Sequence, residues 1–343
     1  GVLLKRDGSL WGTGGNAKGQ LGDGTTVNKE SFQEVVTSGV VAIATGHLHS
    51  AYLKGDGSLW VMGLNDYGQL GDGSDTDRLT PYQVESSGVV QVSIGYDTTL
   101  YRKTNGSVWG MGQNTAGILG DGTSIDRNLS TQIIPSGVID LSSGNTGQGH
   151  ALFLKSDGSL WGTGSGANGR LGNGSTSSRY APILIRSAGV EKIAASNSHS
   201  LFIDTNGSLW AFGKNDYGQL GDGTITQRTS PLEIISSGVV QLTTLNQSSY
   251  YSDTNGSLWA FGRNDFGQLG DGTTTDRSTP VQVVPSGLVR IFGGTGHHMH
   301  FLRDDGSVWG MGETANYRMG DGQDTVNLLV PTQILSGAQT NPR

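Results

Sequence analysis

The chain has 343 residues, of which 57 are glycine and none is cysteine, with 15% charged residues and a formal net charge of −7. Disulfide scaffolding is excluded, and without a basic block a nucleic-acid surface is not expected, because counterion displacement needs clustered Lys and Arg. No run approaches the roughly 20 apolar residues of a membrane span, whereas 34% hydrophobic residues and seven evenly spread tryptophans suffice for a packed core.

In chain order, the first segment, GVLLKRDG, begins with no strand before it and runs into DGSLW at 7–11. Asp-Gly between short apolar runs predicts a hairpin, because both turn residues take positive φ. Ser38-Gly39 is followed by VVAIATG at 40–46. This run is β-branched and apolar, the pattern of an inner strand buried on both faces. Residues 51–54 and 58–63 then pair about Asp56-Gly57, and the glycine-rich NDYGQLGDG follows at 65–73. Pro81 introduces a strand at 81–85, placed outermost because proline lacks the N–H that a central strand needs. The same cycle returns along the chain: inner runs at 89–95 and 138–144, turn phrases NGSVW at 105–109, DGSLW at 157–161, NGSLW at 206–210 and 255–259 and DGSVW at 305–309, and further prolines at 182, 231 and 280. The inner run occurs six times, near 40, 89, 138, 190, 239 and 288. After Gly337 the chain reads AQTNPR instead.

Trp11, Trp60, Trp109, Trp161, Trp210, Trp259 and Trp309 are separated by 49, 49, 52, 49, 49 and 50 residues. A repeat of that length with no helical period means a radial or stacked array. Four strands per repeat and seven repeats predict an all-β, seven-bladed β-propeller with four-stranded antiparallel blades, one domain over 1–343. The ring is expected to close in the first blade, near residues 2–36, which lacks a clear inner strand. The seven tryptophans are expected to be structural, largely buried and wedged between blades.

The repeated words are G-x-x-H-(S/T), D-G-x-(L/V)-W and N-x-x-G-Q-L-G-x-G, as in GHLHS at 46–50, DGSLW at 56–60 and NDYGQLGDG at 65–73. They resemble the RCC1 (regulator of chromosome condensation) repeat over essentially the whole chain, in a form similar to bacterial RCC1-like proteins; the double glycine and aromatic of kelch repeats are missing. The resemblance implies protein recognition, since RCC1-like propellers act as nucleotide-exchange factors, scaffolds or protein inhibitors. The expected function is a non-catalytic protein- or glycan-binding scaffold, a module of a bacterial protein that is secreted or at the cell surface. The alternatives are a guanine-nucleotide exchange factor for a small GTPase and a proteinaceous enzyme inhibitor.

The residues carrying chemistry mostly read as structural. No Ser-His-Asp or G-x-S-x-G context, P-loop or paired Glu appears, so no enzyme and no cofactor are expected. Asp23, Asp72, Asp121, Asp222 and Asp271 each precede a base by six residues, Lys29, Arg78, Arg127, Arg228 and Arg277. They lack the alternating carboxylates of a calcium loop and are read as ion pairs fixing a long loop. His49, His150, His199 and His298 share one repeat position in different blades and predict packing rather than a metal site. The loop after the inner run varies most among the copies and carries the only length changes, which marks the binding face. The candidate binding residues there are His47, Tyr96, Asp97, Asn145, Gln148, Asn197, Asn246, Gln247 and His297.

Overall fold

The computed structural model describes residues 2–144, 149–293, 296–315, 319 and 326–336. The architecture is a seven-bladed β-propeller of antiparallel sheets. The chain divides into two compact units, Gly1–Ser165 with Ser178–Ile185, and Gly166–Ser177 with Arg186–Arg343.

In the first unit, blade 1 holds β1 (Val2–Leu4), β2 (Leu10–Gly14) and β3 (Lys29–Val36). Blade 2 holds β4 (Val40–Thr45), β5 (His49–Lys54), β6 (Leu59–Gly63) and β7 (Arg78–Glu85), and blade 3 holds β8 (Val89–Ile94), β9 (Thr98–Lys103), β10 (Val108–Gly112) and β11 (Arg127–Ile134). Blade 4 follows with β12 (Val138–Ser143), β13 (His150–Lys155), β14 (Leu160–Gly164) and β15 (Arg179–Arg186). The second unit continues with β16 (Val190–Ala195), β17 (His199–Asp204), β18 (Leu209–Gly213) and β19 (Arg228–Ile235) in blade 5. Blade 6 has β20 (Val239–Thr244), β21 (Ser248–Asp253), β22 (Leu258–Gly262) and β23 (Arg277–Val284), and blade 7 has β24 (Leu288–Phe292), β25 (His298–Arg303), β26 (Val308–Gly312) and β27 (Leu328–Leu335). Within every sheet the spatial order is the chain order, and blade 1 has three strands where the others have four. Among the described residues the first blade therefore shows the expected shortfall; the AQTNPR tail lies outside them.

Two strand expectations need correction. The inner strands are not buried on both faces: Val41 is 60% exposed, and Val90, Ile139 and Val289 are exposed as well. In each of the six copies the register slips at the second residue, between Val40 and Ala42 in β4 and between Val89 and Gln91 in β8. A bulge leaves its extra residue unpaired and turns it outward, which a run of β-branched residues does not announce. The outer strands also begin three residues before their proline, at Arg78 rather than at 81. They are the sheet edge, so proline inside them costs no ladder bond.

Each blade grips the next through backbone at two points within a unit. The N–H of Val89 donates to Gly57 O of the Asp-Gly-Ser turn, and Val138 to Gly106 O, Val239 to Gly207 O and Leu288 to Gly256 O repeat the contact. At the other grip, Gly73 N donates to Asn128 O and Gly223 N to Ser278 O. Against the expectation that both turn residues take positive φ, only the glycine does: Asp56 does not, whereas Gly57 has φ +80°, and a Cβ there would stand 2.6 Å from Gly88 N. The turn glycines thus serve the blade contact as well as the hairpin.

The tryptophans are partly rather than fully buried. Trp60, Trp109, Trp161, Trp259 and Trp309 each pack against a cluster drawn from two successive blades. The indole N–H stays near the surface and finds an acceptor in one of two ways. Trp60 donates to Ser58 Oγ at 2.9 Å, with Lys54 over the ring. Where Asp204 and Asp253 replace that lysine, Trp210 and Trp259 donate to the carboxylate instead, at 2.9 and 3.0 Å.

Candidate functional site

Antiparallel pairing of His49 with Gly63 and of Ser248 with Gly262 brings two loops to the same end of each blade. One is the short loop after the inner strand. The other is the long glycine-rich loop after the second hairpin strand. The Asp-Gly-Ser turns occupy the opposite end.

The long loop is built on a buried asparagine. Asn65, 0% exposed, donates to Asp72 Oδ1 at 3.1 Å, Ser74 O at 2.9 Å and Thr76 O at 3.2 Å, and accepts from Leu70 N at 2.9 Å. Asn114, Asn215 and Asn264 repeat the set. Asp72 is also paired with Arg78 at 2.5 Å. Burial pushes its pKa up, but Ser74, Arg78 and their hydrogen bonds outweigh burial and hold it below the usual carboxylate value. The aspartates therefore fix the loop, and among the described residues no group of three His, Asp or Glu is placed to hold a metal.

Two of the repeat-position histidines, His49 and His199, tie one blade to the next. His49 Nε2 meets Thr99 Oγ1 of blade 3 at 3.1 Å, and Thr99 Oγ1 donates to Gln69 O at 2.8 Å. In the second unit His199 Nε2 meets Ser249 Oγ at 2.8 Å. Burial holds both histidines neutral, with pKa values lowered to about 3.

The variable loops carry different chemistry in the two units. In the first, His47 and Tyr96 stack with ring centroids 4.0 Å apart and are hydrogen-bonded at 3.3 Å. Beside them Asp97 departs from the expectation that the loop residues are free, being only 5% exposed. Its carboxylate accepts from Gln69 Nε2 at 3.5 Å, and burial together with Asp66 raises its pKa to about 6. In the second, Asn197 Nδ2 donates to Asn246 Oδ1 at 2.8 Å, Gln247 Oε1 accepts from Arg263 at 2.7 Å, and His297 stacks on Phe266 at 4.7 Å. Asn145 and Gln148 lie outside the described residues. Sequence reasoning missed Arg263, Tyr217, Phe266 and Gln69, which come from the long loop and the residues that open it. The signal was available at the fourth residue after each Trp, which reads Leu64, Gln113, Lys214 and Arg263 while its neighbours hold constant.

The sequence signature of the regulator of chromosome condensation (RCC1) repeat matches at 7–53, 56–101, 157–203, 206–244 and 255–300, well over half of the chain, and a second RCC1-repeat signature matches at 40–69, 89–118 and 190–219. This chain belongs to the RCC1-repeat family. No curated protein matches it. Among solved structures, this RCC1-repeat propeller is similar to human WBSCR16, with 21% identity, coverage of 95% of this chain and 94% of that one, and a TM-score of 0.82. It is also similar to Prp20p from Saccharomyces cerevisiae, described with its binding to Gsp1p and histones, at 20% identity, coverage of 98% and 88% and a TM-score of 0.81. Yeast RCC1 (Prp20) bound to Kap60 gives 20% identity, coverage of 97% and 85% and a TM-score of 0.82. At these identities the likeness is one of fold.

Proposed function

We propose that this RCC1-repeat propeller is a non-catalytic protein-binding module whose loop end meets the partner. One observation carries this reading: within each unit the residues that differ between repeats stand at that end as stacked rings, amides and charges, beside long loops already ordered by buried asparagines. A surface ordered before binding loses little entropy when a partner docks. The opposite end offers seven near-identical turns, and depressions there of about 280 and 510 Å³ are lined by the turns' own residues and their neighbours. A protein partner is favoured over a glycan because the tryptophans are engaged between blades and present no open stacking row. Placement outside a bacterial cell, secreted or at the surface, is part of the same proposal and rests on the wording of the repeats.

The test is capture of a partner by the full chain, followed by Tyr96→Ala and His297→Ala. Loss of binding in either supports the loop end. Binding that survives both and disappears on changing the Asp-Gly-Ser turns places the interface at the other end. The yeast neighbour's binding of Gsp1p motivates an exchange-factor reading. It predicts that the chain accelerates release of labelled guanine nucleotide from a small GTPase, and a null result there leaves the binding module. Slowed turnover of a captured enzyme would select the inhibitor reading.

A further inference from the structure

Blades 5 and 6 build a corner around a cation that blades 2 and 3 build without one. In the second unit Arg263 follows Trp259 by four residues. Its guanidinium lies 5.1 Å from the centre of the Tyr217 ring, donates to Gln247 Oε1 at 2.7 Å and pairs with Asp265 at 2.5 Å. The cation is thus held between a ring of the preceding blade, an amide from the inner-strand loop and a carboxylate of its own loop.

Counted from their own tryptophans, the same positions in the first unit are Tyr67 for Tyr217, Asp97 for Gln247 and Gln113 for Arg263. The cation has become a neutral amide, and the group that accepted from it has become a carboxylate. One loop earlier, Lys214 of blade 5 pairs with Asp216 at 3.0 Å. In blade 2 those two positions are Leu64 and Asp66, so Asp66 has no cation from its own loop either.

What remains at blades 2 and 3 is a ring and a carboxylate with the central charge missing. Tyr67 is 38% exposed. Asp97 is 95% buried by its 5% exposure, and among the described residues the hydrogen bond to its carboxylate is a long one, 3.5 Å from Gln69. Tyr67 stands between Asp66 and Gln69, the two residues that act on Asp97. The nearby Lys18 is paired with Asp77 at 3.1 Å and reaches Asp66 only through space. A buried carboxylate without a counter-charge among the described residues is costly to the fold, and the exposed Tyr67 ring, which by its equivalence with Tyr217 belongs to the same corner, attracts a cation.

We propose that the Tyr67–Asp97 corner, edged by Asp66, binds the guanidinium or ammonium group of an arginine or lysine on a partner protein, in the place that Arg263 fills from within at blades 5 and 6. The proposal rests on the loop end being the protein-binding face and specifies the partner's chemistry there.

The full chain is titrated with N-acetyl-arginine amide and, as the neutral isostere, N-acetyl-citrulline amide, reading the Tyr67 ring and Asp97 carboxylate signals by NMR. The arginine compound should shift both signals saturably and lower the Asp97 titration midpoint, while the citrulline compound should do neither. Gln113→Arg restores the internal cation; it should raise the melting temperature and weaken binding of the arginine compound by about tenfold or more. No saturable shift, an equal response to citrulline, or unchanged affinity in Gln113→Arg overturns the site. A captured partner that is lost with Tyr96→Ala yet indifferent to Gln113→Arg removes this site and leaves the face. Arginine binding in a chain whose partner survives Tyr96→Ala and His297→Ala removes the face and leaves the site.

Discussion

The two ends of each blade solve different problems with the same backbone. At the turn end, Gly57 closes the β5–β6 hairpin and its carbonyl receives Val89 of the next blade. One residue serves local and tertiary structure at once, so the turn has no freedom to differ between copies. At the loop end the two duties are separated. Asn65 and Asp72 hold the long loop, and the side chains of Tyr96, His47 and Arg263 take no part in those bonds. The difference teaches that this propeller localises its variable chemistry where the backbone is fixed by buried side chains rather than by the variable residues themselves.

That contrast can be broken most forcefully at the turn. Gly57→Val forces a β-branched residue to φ +80° and into Gly88 N, and it should lower the unfolding free energy by about 4 kcal/mol or more in denaturant titration. Asn65→Ala comes next. It leaves Leu70 N, Ser74 O and Thr76 O without their partner, with an expected loss of about 3 kcal/mol and faster proteolysis in the 65–78 loop. A smaller effect follows from pH. His49 and His199 have folded pKa values near 3, against about 6.5 when unfolded. The unfolded chain therefore takes up protons first, and stability is lost from pH 6.5 downward, by about 2 kcal/mol per histidine at pH 5.

Asp97 acts in the opposite sense. Its folded pKa is raised to about 6, so ionising it costs stability as pH rises from 3.8 toward 6, and acidification relieves about 1 kcal/mol of that cost. The net expectation is a loss of about 2–3 kcal/mol between pH 7 and pH 5. Asp97→Asn should make the loss steeper and raise stability at pH 7, which thermal melts at both pH values will show. The smallest effect on stability belongs to Tyr96→Ala. It removes a stack between partly exposed rings and should change the fold by no more than about 1 kcal/mol while abolishing partner capture.

Much of this architecture was legible because its signals are local. The seven Asp/Asn-Gly-Ser phrases fix hairpins, the 28 residues from each Trp to its later glycine fix the repeat length, and Pro81 and its equivalents mark the sheet edge. Even the three strands of the first blade among the described residues followed from counting inner runs. What stayed hidden was the condition of the residues on the variable loops. Asp97 looked like a free loop acid and is buried, with Gln69 reaching its carboxylate from a loop 28 residues earlier. The exposed Val41 was misread because a bulge is a property of the pair of strands rather than of the run of residues.

By itself, then, the sequence determined blade number, strand order and the places of the turns, since each depends on glycine's φ freedom and on periodicities confined to about fifty residues. Only the tertiary structure decided which neighbour completes each polar group. His49 finds Thr99 fifty residues away, Arg263 is held over Tyr217 while Tyr67 stays exposed, and the carboxylate of Asp97 is buried without a counter-charge among the described residues. Desolvation and charge pairing depend on atoms brought together from successive blades, and those distances exist only after the blades have packed.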